Sequence, residues 1–243
     1  MNDRLDQTKL SNTNKDSKAL VTIVSSFIDR YNTSESSHQD GEAKLIIEGL
    51  RPFIMNCIIS SIKSAKFDWL TYHLLPHPTH PNNQTMISDF TLFVDPLSTM
   101  NFELFFVEVK RPGNTSNGTL ENDLTKLGKE MQIALSKLVL QKVDNPVVVG
   151  LLIKGTKAST FKMDIAYNGQ YRMVELSQFH LLQEYTDDIM LVPIIMEKMF
   201  QIQAIIKQTI NNIYEAINDK NIPTLDASNY IRYPCGSPLV VKK

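Results

Sequence analysis

The chain has 243 residues, 42% of them hydrophobic, enough to bury one sizeable core without demanding a second domain. A formal net charge of −1 carries no overall signal for nucleic-acid or membrane-surface binding, and two distant cysteines, Cys57 and Cys235, argue against a disulfide framework. Residues 1–18 are polar without a secretory apolar region, and no stretch reads as the roughly 20 apolar residues of a membrane span. An intracellular protein away from membranes is therefore expected, with nuclear or cytosolic residence open.

Residues 1–40 read as a flexible arm holding a short apolar helix over 19–31. A single domain follows over 41–220, and 221–243 reads as an irregular tail. From Gly41 to about Ala65, apolar positions including Leu45, Leu50, Phe53, Ile54, Cys57 and Ile62 predict a helix kinked at Pro52. A short strand is expected over 67–72, and a loop of Pro and His residues over 73–84. His73, His77 and His80 lie on that irregular loop without a cysteine or a helical pair, which argues against zinc. Two apolar strands follow over 86–94 and 102–110, separated by a turn at 95–98.

Pro112 and Gly113 stop the second strand, and a small polar loop opens a helix with the stripe Leu120, Leu124, Leu127, Met131, Leu135 and Leu138. Asn145-Pro146 ends that helix. The β-branched run 147–153 reads as an interior strand. Segments 158–166 and 170–176 flank Tyr167-Asn168-Gly169, the signature of a hairpin with a type I′ turn. A long amphipathic helix over 193–217 carries Ile195, Met199, Ile202, Ile206, Ile210 and Ile213 on one side, a stripe suited to core packing or to a homodimer seam.

The chemistry stands out in the paired strands. Asp89 interrupts the first, and Glu108 and Lys110 end the second, where burial of an ionised group costs several kcal/mol or more unless a counter-charge compensates. Strand alternation points Glu108 and Lys110 one way and Val109 the other. Two carboxylates beside an ammonium are the parts needed to hold a divalent cation and activate water against a phosphodiester, although a salt bridge at a strand end would use the same residues.

The order helix, three strands, helix, strand over 41–153, with Asp89 in the second strand and Glu108-Val109-Lys110 ending the third, resembles the PD-(D/E)XK nuclease superfamily. Ser88 stands where the motif's proline would be. The resemblance implies an α/β fold, a restriction-endonuclease-like three-layer core with a central mixed sheet between helices. The hairpin and the C-terminal helix would be additions. It makes Asp89 and Glu108 ligands of Mg²⁺ (or Mn²⁺), the Val109 carbonyl a third ligand, and Lys110 the group that orients the attacking water. Glu42, or next Glu48, is the candidate for an additional glutamate on the first helix. Some relatives carry Gln-x-x-x-Tyr on the later helix; here Gln132 is followed by Ser136, a partial match.

Lys126, Lys129 and Lys137 fall within about a quarter turn of each other, on the side of that helix away from its apolar stripe. They are candidates for phosphate contact or a solvated face. Residues 104–172 hold ten basic against six acidic side chains, so the middle is basic although the whole is not. The expected function is metal-dependent hydrolysis of nucleic acid, DNA favoured over RNA. The alternative is a catalytically inactive protein that keeps the fold as a binding or scaffold module.

Overall fold

The computed structural model describes residues 15–33, 41–75, 85–96, 98, 100–110, 123–166, 169–182, 188–218 and 231–232. Several sequence expectations lie outside these residues: the loop at 112–118, Tyr167-Asn168, His77, His80, Cys235 and nearly all of the tail. Helix α1 (Lys15–Thr33) buries Ala19, Ile23 and Phe27 at four-residue spacing, and Phe27 meets Phe53 with ring centroids 5.7 Å apart.

The predicted helix from Gly41 forms, but irregularly. Helix α2 (42–61) strings together an α-helical turn (Glu42–Lys44), a π-helical stretch (Leu45–Leu50), a second α turn (Arg51–Phe53), a second π stretch (Ile54–Ile58) and a 3₁₀ turn (Ile59–Ser61). Pro52 has no N–H to give its preceding turn, and wide turns on both sides take up the mismatch in place of one kink.

Six strands form one mixed sheet in the order β1 (Lys66–Trp69), β4 (Phe90–Val94), β5 (Phe102–Lys110), β6 (Val147–Lys154), β7 (Lys157–Ala166) and β8 (Gln170–His180). All neighbours are antiparallel except β5 and β6. That single parallel step needs a crossover, supplied by helix α3 (Asp123–Leu140). Strands β2 (His73–Leu74) and β3 (Met86–Ile87) pair separately. The expected strand over 86–94 is thus two strands broken at Ser88-Asp89, a correction with a local cause. The Asp89 carboxylate accepts a hydrogen bond from the Val109 N–H (2.6 Å), a side-chain competitor to regular pairing.

A bulge sets which residues of β5 share a face. Leu92 pairs with Phe105 and Phe93 with Glu103, so Leu104 is an extra residue and alternation restarts across it. Glu103 therefore looks the same way as Phe106 and Glu108, toward α3. On β6, Gly150 lies under α3 so closely that a Cβ there would sit 2.6 Å from the Met131 sulfur. Helix α4 (Val192–Asn218), entered through a 3₁₀ turn (Asp188–Leu191), packs with α1 and α2 over the other side, giving three layers.

By length and composition alone, 188–218 could cross a membrane, contrary to the sequence expectation. Its stripe of Ile195, Met199, Ile202, Ile206 and Ile213 is instead buried in the core, so the residues considered for a dimer seam pack within the chain.

Candidate functional site

Glu108 is fully buried near the end of β5, and β4 brings Asp89 beside it: Phe90 pairs with Val107, and the Asp89 N–H donates to the Val107 carbonyl (3.1 Å). The Asp89 carbonyl in turn accepts from the N–H of Leu70, a left-handed residue with φ 64°. From α3, the Lys126 ammonium reaches Glu108 Oε1 (2.6 Å) and the Ile87 carbonyl (2.8 Å), and lies 3.8 Å from Glu130 Oε1. Glu130, one helical turn beyond Lys126, is 0% exposed. Glu108 Oε2, both Glu130 carboxylate oxygens and the Ser88 hydroxyl are buried together, with Ser88 and Glu108 the side-chain hydrogen-bonding neighbours of Glu130.

Three acids and one ammonium in so small a volume perturb one another. Burial, with Asp89 adding to it, pushes the Glu108 carboxyl up to about 7 against the downward pull of Lys126 and Lys110. Burial and the neighbouring Glu108 hold Glu130 well above the usual carboxylate range. For Lys126 burial works downward, but Glu130 and Glu108 outweigh it and the ammonium holds its proton more tightly. Lys110, half-buried at the strand end, forms no ion pair with another described residue.

Comparison with protein-family models, curated proteins and solved structures gives no match. The local geometry therefore carries the functional argument. It brings Asp89, Glu108 and Lys110 to one end of β4 and β5, and the Val109 amide into contact with Asp89. Glu42 begins α2, but its side chain lies outside the described ones, and Glu48 is half-buried on the first π stretch. Among the described residues, no three His, Cys, Asp or Glu side chains form a ready-made ligand cluster.

Two of the three lysines of the strip, Lys126 and Lys137, are a correction. Lys126 serves Glu108, and Lys137, only 11% exposed, binds Glu103 through both carboxylate oxygens (2.8 and 3.0 Å). The two lysines lie eleven residues apart, within about 20° around the helix, and both face β5. Buried carboxylates opposite draw these long side chains inward along apolar surface. Gln132 donates to the Arg232 carbonyl (2.5 Å), and the Ser136 hydroxyl meets the hydroxyl of Tyr171 (2.8 Å).

Sequence reasoning missed Glu130 and Ser88, and it took Lys126 for a phosphate contact where the structure seats it on Glu108. The signal for Glu130 was partial: it stands three residues after Leu127 and four before Ala134, at the edge of the apolar stripe. A cavity of about 480 Å³ lined by Thr156, Phe179, His180, Leu181 and Ile195 does not include these carboxylates.

Proposed function

We propose that the chain is a divalent-metal-dependent nuclease hydrolysing phosphodiester bonds, with DNA the favoured substrate, on a restriction-endonuclease-like core over 41–153. One observation supports this most: two buried carboxyl groups, Glu108 and Glu130, meet each other beside Asp89, and burial pushes both above the usual carboxylate range. Burial drives these carboxyl groups toward their protonated form, and a cation would relieve the cost of ionising them. The donors suit Mg²⁺, which takes oxygen ligands, keeps several waters and needs only one or two carboxylates. Asp89 and Glu108 would hold it, with the Val109 carbonyl as a further oxygen. When bound, it supplies Lewis-acid charge for the phosphate and a lowered pKa for water.

The chain's own groups do the rest. The Val109 N–H fixes the Asp89 carboxylate in place. Lys110, at the half-buried end of β5, orients a water and meets negative charge growing on the phosphate. Lys126 anchors one oxygen of Glu108 and leaves the carboxyl in contact with Glu130.

A second reading, a non-catalytic binding module, draws support from that same Lys126, an internal cation already seated on Glu108. Incubating labelled DNA with Mg²⁺ or Mn²⁺ separates the two. Cleavage by wild type that is lost in Asp89→Ala, Glu108→Gln and Lys110→Ala is expected. Equal cleavage by all four proteins would remove the proposal. Mn²⁺ should also raise the melting temperature of wild type and not of Glu108→Gln.

A further inference from the structure

The strand register gathers residues that the sequence keeps far apart. Lys110 pairs with Lys154 across the parallel β5 and β6, Lys154 pairs with Lys157 across the β6–β7 hairpin, and Lys157 pairs with His180 on β8. Paired residues on neighbouring strands share a sheet face, so the four side chains stand in one line on the face of Glu108 and Gly150. With strands about 4.8 Å apart, the line runs about 14 Å from the candidate site to the edge of the sheet.

The hairpin tip is held against the site end of β5: Gly155, with φ 62°, donates its N–H to the Lys110 carbonyl (2.7 Å). A rigid two-residue turn thus fixes the spacing of the first three cations. Lys154, Lys157 and His180 are exposed. Among the described residues Lys157 makes no ion pair, and Lys154 has only Asp123 at 3.9 Å. Other basic residues on this hairpin are neutralised locally, since Lys162 and Arg172 both sit on Asp164 (3.5 and 2.8 Å). Like charges packed side by side at a sheet end repel one another, an arrangement that a polyanion relieves.

We propose that Lys110, Lys154, Lys157 and His180 form a track for the sugar-phosphate backbone of a nucleic acid, crossing the sheet end from β8 to the carboxylate site. Its length suits about two or three consecutive phosphates, and the contacts are of the kind that position a strand without reading its sequence. The proposal rests on the nuclease reading for its substrate class, and binding without hydrolysis tests it separately.

The experiment measures fluorescence anisotropy of a labelled DNA oligonucleotide, and of an RNA of the same sequence, in EDTA over a range of salt concentrations. The double variant Lys154→Gln/Lys157→Gln should bind about tenfold more weakly than wild type at moderate salt. Its plot of log affinity against log salt should be shallower by about 1.4 to 1.8, for two lost phosphate contacts. The control Lys162→Gln/Arg172→Gln removes as much charge from the Asp164 group and should leave slope and affinity near wild type.

Equal losses in the two double variants, or no binding by wild type, would overturn the track. Lys154, Lys157 and Arg172 are exposed and Lys162 is partly so, and melting temperatures within a few degrees of wild type confirm that both variants fold. If the track fails while Mg²⁺-dependent cleavage survives, only the path of the strand is wrong. If the track holds and no cleavage occurs, the catalytic reading fails alone.

Discussion

Two lysine–glutamate pairs bridge the same helix and strand, and they are finished differently. At one end Glu103 is saturated: Lys137 takes both its oxygens, and the Tyr72 hydroxyl donates to it at 2.6 Å while accepting from Asn101. Burial and the adjacent Glu103 hold the Tyr72 hydroxyl protonated well beyond its ordinary range. At the other end Glu108 has one oxygen on Lys126, and it meets a second buried carboxyl, Glu130, whose remaining neighbour is the Ser88 hydroxyl in place of a second cation or a tyrosine. The first pair is closed and reads as structure. The second is left short of partners where Asp89 and Lys110 converge, which marks it as a place for something to bind.

The strongest way to break this contrast is to open the closed pair. Lys137→Met should destabilise the fold by about 3 to 5 kcal/mol, because Glu103 would be left charged and buried. Adding Glu103→Met should recover most of that loss in urea denaturation. A double variant no more stable than the single one would show that Glu103 is not a closed structural pair.

The open pair should announce itself through pH. Folded Glu108 holds its proton more tightly than an unfolded glutamate near 4.5, so its contribution is full below about pH 4.5 and is lost as pH rises through about 7. The expected loss from Glu108 in metal-free protein is roughly 3 kcal/mol across that window; Glu130, also held high, works in the same direction, so Glu108→Gln should lessen the slope without abolishing it. A wild-type stability that rises between pH 5 and 7 with the same slope in Glu108→Gln would contradict the assignment.

Two smaller effects sharpen the comparison. Gly150→Ala puts a methyl group into Met131 and Leu127, which lie on α3 between the two lysines, and should cost about 1 to 3 kcal/mol. Backbone amide exchange should quicken along α3 in that variant. Glu130→Met removes a buried carboxyl crowded against Glu108 and should change metal-free stability by less than about 1 kcal/mol while weakening Mn²⁺ binding measurably. A large destabilisation with unchanged Mn²⁺ affinity would move Glu130 into the structural class.

Much of the fold was legible because burial writes itself as contiguous apolar runs. Strand β5 begins and ends as its sequence implied, β6 and β7 extend the expected segments by one residue, and α4 differs by one residue at each end. The break at Ser88-Asp89 was hidden, since it depends on a carboxylate bonding an amide twenty residues away. Asp89, Glu108 and Lys110 were singled out from charge in an apolar context, and the strands bring them to one end of the sheet. Lys126 and Lys137 were assigned to the wrong side because a helical wheel counts a lysine as solvent-facing, and only the carboxylates opposite reverse that. The line of Lys110, Lys154 and Lys157 is a product of register, which no local pattern encodes.

The bulge at Leu104 has a metrical consequence. It lets the odd-numbered Glu103 and the even-numbered Glu108 answer lysines eleven positions apart, five steps of extended chain against three helical turns, each spanning about 16 Å. Strand and helix are two scales of unequal division that coincide at only two marks. Gaining or losing one residue between those marks on either scale would bring at most one pair into coincidence, so the distance from the closed end to the open end is fixed by counting.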